Sequence, residues 1–189
     1  MSQTTQGRVR QYHKALPLID YLLPFIGNKK EVKIADIGSG PFSTIGSYLD
    51  GVDLKIYHSD TNDFKDFWQN RGLTPVISVE YQDMEKLTYP DGFFDIVHCL
   101  NALDHTRNIK EAVKEMIRVC KIDGWIYINC SLDQLSTGGH HYWNTKQDGT
   151  LTNNVETVDL KDFGFNIEFI DNGGESRYNK IIATLQRKI

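Results

Sequence analysis

The stretch that decides the fold is EVKIADIGSGPFS, from Glu31 to Ser43. The mostly apolar run from Glu31 to Ile37 predicts a short strand that is buried on both faces of a sheet. Gly38 and Gly40 follow it as a turn in which the backbone can approach a ligand, because glycine has no Cβ. Such a turn after a strand lies at the carboxyl edge of a parallel sheet, which is where ligands bind in open α/β folds.

The rest of the chain alternates short apolar runs with helical patterns. Further strands are expected at Leu54 to Tyr57, Pro75 to Val79, Phe93 to Leu100, Trp125 to Cys130, Phe165 to Ile170 and Lys180 to Gln186. Helices are expected at Gln11 to Ile26, bent near Pro17, and at Ser43 to Leu49, Asp63 to Asn70 and Asn108 to Cys120. Strands that alternate with helices pair in parallel through right-handed crossovers, so the sequence predicts an α/β fold with a doubly wound sheet.

Two regions lie outside this alternating core. Residues 1–28 are expected to form an N-terminal helical segment. The polar, glycine-rich stretch 131–155 is expected to form an extended loop or irregular hairpin that covers the substrate. Because no linker or repeat divides the sequence, residues 1–189 are expected to form a single domain.

Length and charge exclude several classes of protein. The chain has 189 residues, and 21 basic against 25 acidic side chains give a net charge of −4, so there is no broad basic surface for nucleic acid. No apolar run approaches the roughly 20 residues of a membrane span, and no signal peptide is recognisable. Three cysteines in apolar surroundings, Cys99, Cys120 and Cys130, indicate unpaired thiols and a cytoplasmic protein. They form no C-x-x-C pair, so no structural metal site is expected.

Acidic residues follow the next two strands. Asp60 stands about 20 residues after the glycine turn, where a carboxylate can accept both hydroxyls of an adenosine ribose. Asp83 follows the third strand and can accept from the adenine amine, with Met84 against the ring. The alternative for both acids is a helix cap or a solvated turn. A dinucleotide is disfavoured, because Ser43 replaces the third glycine and Asp36 stands directly before the turn.

Three segments together resemble a known family. They are ADIGSGPFS at Ala35 to Ser43, QDMEKLTYPDGFFDIVHCLNALDH at Gln82 to His105, and EAVKEMIRVCKIDGWIYIN at Glu111 to Asn129. Their succession resembles the class I S-adenosylmethionine-dependent methyltransferases of the type 11 kind. The resemblance implies a mostly parallel, seven-stranded Rossmann-like sheet with helices on both faces. It also implies S-adenosyl-L-methionine as the cofactor and S-adenosyl-L-homocysteine as its product.

The resemblance assigns residues to parts of the cofactor. The methionine part falls to Asp36, Gly38, Ser39 and Gly40. The ribose falls to Asp60, with Ser59 or Asp63 as the alternatives, and the adenine to Asp83 and Met84. The sulfonium is faced by Asn101 and Ala102, and Leu103 lines the pocket.

Histidines supply the candidate catalytic groups. An acceptor hydroxyl or protonated amine needs a general base, and imidazole titrates in the right range. His105 follows the fourth strand, while His140 and His141 lie in the stretch 131–155. The alternative for His105 is a structural role at a helix start. A metal is not expected, because no carboxylate stands at helical spacing from the histidine pair. His58 is expected near the ribose and His98 in a structural role.

The sequence therefore predicts methyl transfer to an oxygen or nitrogen of a small molecule. The alternative is a non-catalytic module that binds the cofactor in a regulatory role. A nicotinamide-dependent oxidoreductase is disfavoured by the loop residues. Nucleic acid and membrane partners are not expected, and the protein is expected to act as a monomer or homodimer.

Overall fold

A computed structural model describes residues 15–41, 44–134, 140–173 and 179–189. Its strands are β1 (Glu31–Ile37), β2 (Asp53–Asp60), β3 (Val79–Tyr81), β4 (Phe94–Leu100), β5 (Cys120–Ser131), β6 (Asn144–Thr145), β7 (Thr150–Thr152), β8 (Thr157–Asp159), β9 (Asn166–Ile170) and β10 (Lys180–Gln186). Its α-helices are α1 (Leu23–Ile26), α2 (Lys65–Gln69) and α3 (Ile109–Val119). Short 3₁₀ turns cover Asp20–Leu22, Leu103–His105 and Leu160–Phe163.

Seven strands form the main sheet in the order β3-β2-β1-β4-β5-β10-β9. The pairs from β3 through β5 are parallel, whereas β10 runs antiparallel to both β5 and β9. The strand order reverses between β1 and β4, so the carboxyl ends of these two strands flank a switch point of the kind that binds ligands. The predicted α/β fold with a mostly parallel sheet is confirmed.

Apolar layers cover both faces of the sheet. On one face α3 buries Ala112, Val113 and Met116 against the strands, and Asn108 caps the helix by accepting a hydrogen bond from the Glu111 amide (3.3 Å). On the other face Leu22 of the N-terminal segment packs in a cluster with strand side chains. Burial of these apolar side chains is the main source of stability in a fold of this kind.

The predicted helix from Ser43 to Leu49 is wrong. Ser43 lies outside the described residues, and residues 44–49 have no helical turns. The N-terminal segment packs here instead, because the Leu18 and Ile19 amides donate to the carbonyls of Tyr48 (2.7 Å) and Ile45 (2.9 Å). The side chain of Ile45 is fully buried in that contact layer. Backbone bonding to a distant segment has replaced the local bonds of a helix.

The N-terminal prediction was only partly right. Residues 11–14 lie outside the described part, and residues 15–19 are extended around Pro17, which pairs with Tyr48 in an isolated bridge. Helical structure starts at Asp20 and ends at Ile26. Proline lacks an amide donor and restricts the residue before it, which explains why the helix is shorter than its hydrophobic pattern suggests.

Smaller differences concern the remaining elements. The third strand was expected at Pro75 to Val79. It lies further along the chain, at Val79–Tyr81. Within the stretch 131–155, Ser131 still belongs to β5, residues 135–139 lie outside the described part, and β6 and β7 pair with β8 in a separate three-stranded sheet. All three cysteines are buried and unpaired, as expected. No helix in the described ranges has the length and apolar character needed to cross a lipid bilayer.

Candidate active site

A cavity of about 680 Å³ opens at the carboxyl ends of the parallel strands. Its size lies within the range of small-molecule sites, roughly 300–1,000 Å³. The predicted site residues that line it are Gly38, Asp60, Asp83, Met84, Asn101, Ala102, His105 and His140. The fold therefore brings two of the three predicted acids and two of the histidines into one space.

Gly38 packs against the end of β4 so closely that no other residue fits. Its φ is +70°, and a Cβ built on it would lie 2.3 Å from Cβ of Ala102. The nearby Met84 side chain is buried, and its Cε would lie 3.3 Å from the Cβ built on Gly38. The glycine thus lets the turn after β1 pack directly against the segment after β4, at the switch point where ligands bind in such sheets.

Asp36 does not line the cavity. It is 2% exposed, and its carboxylate lies between His58 (Oδ2 to Nδ1, 3.1 Å) and His98 (Oδ1 to Nδ1, 2.7 Å). These three residues are direct register partners on neighbouring strands. Burial alone disfavours the charged carboxylate, but the two histidine hydrogen bonds outweigh it and hold the pKa of Asp36 well below its usual range. His58 is therefore buried beside Asp36, and His98 is structural, as expected.

Five other predicted residues also lie outside the cavity lining: Ser39, Gly40, Ser59, Leu103 and His141. The first three shape the glycine turn. The Ser59 carbonyl accepts from the Gly38 amide (2.8 Å) and the Ser39 amide (3.0 Å), which ties the turn to β2. Leu103 is fully buried in the core.

Asp60 has both a structural contact and a place in the cavity wall. Its Oδ2 accepts from the Gly40 amide (3.0 Å), and its Oδ1 accepts from the amide (2.9 Å) and side chain (2.8 Å) of Asn62. The alternative ribose partner, Asp63, accepts from the Lys65 amide at the start of α2 and does not line the cavity. Position thus favours Asp60 over Asp63.

Asp83 and its neighbours line the cavity on the same side as Asp60. Asp83 is exposed and accepts from the Glu85 amide (2.9 Å), while Met84 beside it is 8% exposed. Tyr81, at the end of β3, also lines the cavity and is 72% exposed. Sequence reasoning missed Tyr81, because its position at the mouth depends on β3 being shifted toward its carboxyl end.

Asp104 is a site residue that the sequence did not indicate. It is buried in the 3₁₀ turn Leu103–His105, and its Oδ2 lies 2.5 Å from Nδ1 of His141. The ring centres of His105 and His141 are 4.3 Å apart. The acid directly before His105 in the stretch NALDH was the available signal, but only folding brings it to His141.

Backbone contacts fix this histidine pair. The Asp104 carbonyl accepts from the Tyr142 amide (2.8 Å), and the indole N–H of Trp143 donates to the Thr106 carbonyl (2.8 Å). The Trp143 side chain is fully buried.

At the end of β4, Asn101 adopts a positive φ of 50° and accepts from the Ser131 amide (2.8 Å). Asparagine tolerates this conformation better than most residues.

Comparisons with known proteins identify what the chain is similar to. A family model described as a methyltransferase domain matches residues 35–128. The chain is 26% identical to the sterol 24-C-methyltransferase erg6 of Aspergillus fumigatus over 109 residues, which are 55% of this chain and 29% of that protein. It is 30% identical to the ubiquinone/menaquinone biosynthesis C-methyltransferase UbiE of Neisseria meningitidis over 107 residues, which are 53% of this chain and 43% of that protein.

Among solved structures the chain is similar to YcgJ of Bacillus subtilis. The TM-score is 0.56 at 13% identity, and the match covers 89% of this chain and 97% of that one. This likeness shows a shared fold. The chain spans less than half of the length of the two curated relatives named above.

Proposed function

Because the chain belongs to the class I S-adenosylmethionine-dependent methyltransferases, we propose that it transfers a methyl group to an oxygen or nitrogen of a small-molecule acceptor. S-adenosyl-L-methionine is its cofactor and S-adenosyl-L-homocysteine the product. The observation that carries the proposal is that one and the same cavity is lined by two acids, Asp60 and Asp83, and by two histidines, His105 and His140. Membership of this family favours an enzyme over the alternative of a non-catalytic binding module.

The cavity wall formed by β1, β2 and β3 is the proposed cofactor side. Gly38 and Ala102 both line this cavity and pack so closely that a Cβ on residue 38 would displace Ala102. We assign the ribose to Asp60 and the adenine to Asp83 and Met84, since all three line the cavity. When bound, S-adenosyl-L-methionine supplies an electrophilic methyl group on a sulfonium. Asn101 is placed at the end of β4, where the methyl side of such a ligand lies.

Five predicted residues receive a supporting role in this proposal. Asp36, Ser39, Gly40, Ser59 and Leu103 hold the glycine turn and the strand ends in place. Their polar atoms described above bond to protein groups rather than facing the cavity. The negative charge of Asp36 still acts on the site through space, although its two histidine partners weaken its effect.

The acceptor side is the cluster formed by the turn Leu103–His105 and residues 140–143. His105 and His140 line the cavity, and Asp104 holds His141 beside them. A carboxylate bonded to one ring nitrogen fixes the orientation of an imidazole and stabilises its protonated form. We therefore assign proton removal from the acceptor to this cluster, with His141 as the histidine that is oriented by an acid.

Carbon is the second candidate for the methylated atom. The two curated relatives are named as C-methyltransferases, and the chain is similar to both. A cluster that removes a proton serves either reaction, because a carbon acceptor also loses a proton. The methylated product distinguishes the two candidates in carbon–proton correlation spectra. The carbon and protons of an O-methyl or N-methyl group are shifted downfield by the heteroatom, whereas those of a C-methyl group are not.

Calorimetric titration with S-adenosyl-L-homocysteine tests the cofactor assignment. We expect one binding site per chain, and Asp83→Ala is expected to weaken binding about tenfold, because it removes the proposed adenine acceptor. Asp162→Asn, an exposed change outside the cavity, is the control. No binding by the wild type, or equal binding by Asp83→Ala, contradicts the assignment. Release of S-adenosyl-L-homocysteine across a panel of phenols, alcohols and amines then identifies the acceptor.

The partners and location follow as further proposals. The net charge of −4 and the small cavity support a small-molecule acceptor rather than nucleic acid. Three buried, unpaired cysteines support a reducing compartment such as the cytoplasm. We propose a monomer or homodimer, to be measured by light scattering on the full chain.

A further inference from the structure

We propose that Asp104, His105 and His141 form a binding site for a divalent transition-metal cation on the acceptor side of the cavity. Each of the three offers one ligand atom, and these atoms all lie within 4.8 Å of one another. The inference deepens the proposed function and rests on it for the role of the cation, but the binding of the cation is independent of it.

The two oxygens of Asp104 are in different situations. The side chain is 3% exposed, and Oδ2 is bonded to Nδ1 of His141. Oδ1 lies 3.9 Å from Nε2 of His105. A carboxylate oxygen that lies this far from an imidazole nitrogen is suited to share a positively charged partner with it.

The gap between Asp104 and His105 has the span of a metal site. Zinc ligands lie at about 2.0–2.2 Å from the ion for both nitrogen and carboxylate oxygen. Twice that distance is about 4.0–4.4 Å. An oxygen and a nitrogen 3.9 Å apart can therefore both bind one cation between them, with a bent oxygen–metal–nitrogen angle. The same gap is too long for a direct hydrogen bond.

The ligand set favours certain metals. Two imidazoles and one carboxylate suit zinc, iron, cobalt or nickel, whereas magnesium and calcium prefer oxygen ligands alone. The contact between His141 and Oδ2 also matches a common arrangement in which a carboxylate and a histidine near a metal hold each other in place.

The fold holds the two ligand segments in register before any cation binds. The Tyr142 amide and the indole of Trp143 bond to carbonyls of Asp104 and Thr106. Such preorganisation lowers the cost of assembling the site. The sequence did not predict it, because the carboxylate comes from a segment far from His141 rather than from the same helix.

A cation here has a clear use. His105 lines the cavity, so the open coordination positions face the space left for the acceptor. A divalent cation lowers the pKa of an oxygen acid beside it, which favours an acceptor with a hydroxyl group; with the cation bound, His141 is a ligand rather than the proton acceptor. The proposed substrate class is therefore a hydroxylated small molecule, such as a phenol or a hydroxy acid.

Titration of the full, untagged chain with Co²⁺ tests the site, because tetrahedral or five-coordinate Co²⁺ has a visible absorption spectrum. We expect one Co²⁺ per chain, displaced by Zn²⁺. His105→Ala is expected to weaken Co²⁺ binding at least about tenfold. His140→Ala is the matched control: its ring is adjacent in sequence but outside the ligand set, so binding is expected to stay within about twofold.

Because the His105 side chain is 40% exposed, His105→Ala is expected to fold like the wild type. Its melting temperature checks this. Asp104→Asn provides a second variant if it folds. Absence of visible Co²⁺ absorption, or equal Co²⁺ affinity in wild type and His105→Ala, overturns the proposal. A chain that binds S-adenosyl-L-homocysteine but no Co²⁺ disproves only the metal site, whereas the reverse disproves only the proposed function.

Discussion

The carboxylate of Asp36 lies 2.7 Å from Nδ1 of His98, on the neighbouring strand and in direct register with it. Nε2 of the same imidazole lies 2.9 Å from the hydroxyl of Tyr21, whose ring stacks on Tyr127. A buried charge is thus linked to the N-terminal segment through one histidine. Only Ile37 separates Asp36 from the glycine turn, so this linkage also helps to position the turn.

Replacing Asp36 by asparagine is expected to destabilise the fold by about 3 kcal/mol, since it removes a buried carboxylate that accepts from two histidines. An amide also presents a donor to one of the two rings. Unfolding in urea, followed by circular dichroism, measures the change. The exposed replacement Asp162→Asn is the control and is expected to stay within about 0.5 kcal/mol. Equal stability of Asp36→Asn and wild type contradicts the role given to this carboxylate.

Stability is expected to fall in acid because of the same group. The pKa of Asp36 is lower in the folded than in the unfolded chain, so the unfolded state binds more protons at low pH. Its contribution is complete above the unfolded value of about 3.9 and is lost as the pH falls toward the folded value. Urea midpoints between pH 6 and pH 3 measure this slope. The difference between wild type and Asp36→Asn should shrink with falling pH, and a constant difference would refute the linkage.

Gly38→Ala is expected to abolish binding of S-adenosyl-L-homocysteine. Its Cβ would overlap Cβ of Ala102 at 2.3 Å, in addition to the strain of a positive φ. Gly27→Ala is the matched control, because Gly27 has a similar φ of +59° but open space around the added Cβ. Both variants should lose about 1 kcal/mol from strain, and Gly38→Ala more because of the overlap. Only Gly38→Ala should lose ligand affinity in calorimetry, and unchanged affinity in that folded variant contradicts the placement of the cofactor beside Gly38.

The three cysteines are expected to resist thiol reagents in the native protein. Burial raises the pKa of Cys120 to about 12 and raises the pKa values of Cys99 and Cys130 as well. At pH 8 almost no thiolate is present and no thiol is accessible. We expect no reaction with a chromogenic disulfide within minutes, and reaction of three thiols per chain in denaturant. Rapid reaction of any thiol without denaturant would show that one of these sites is open.

His141→Ala is expected to lower kcat about a hundredfold once an acceptor is known, because it removes the imidazole that Asp104 orients. The affinity for S-adenosyl-L-homocysteine is expected to remain within about twofold, since His141 does not line the cavity and lies beside His105, away from the proposed cofactor side. Steady-state kinetics and calorimetry on the same preparation measure both quantities. A variant with full turnover assigns proton removal to another group.

Several features of this protein were determined by the sequence alone. The apolar run Glu31–Ile37 before a glycine turn, and the helical spacing of residues 109–119, are local patterns that only one kind of element satisfies. They were sufficient to predict the sheet and the position of Gly38, Asp60 and Asp83 at one edge, whereas the family was indicated by the resemblance of three segments to it. Such predictions succeed because parallel strands bring their carboxyl ends together regardless of loop details.

Other features were decided only by tertiary structure. The helix expected from Ser43 to Leu49 is not formed, because the amides of Leu18 and Ile19 bond to carbonyls in that stretch. Asp36 is held by His58 and His98, which are remote in sequence but adjacent in register. Asp104 and His141 meet through loops whose path no periodicity encodes. Local patterns specify elements, whereas the partners of a buried charge depend on which distant segments the packed sheet brings beside it.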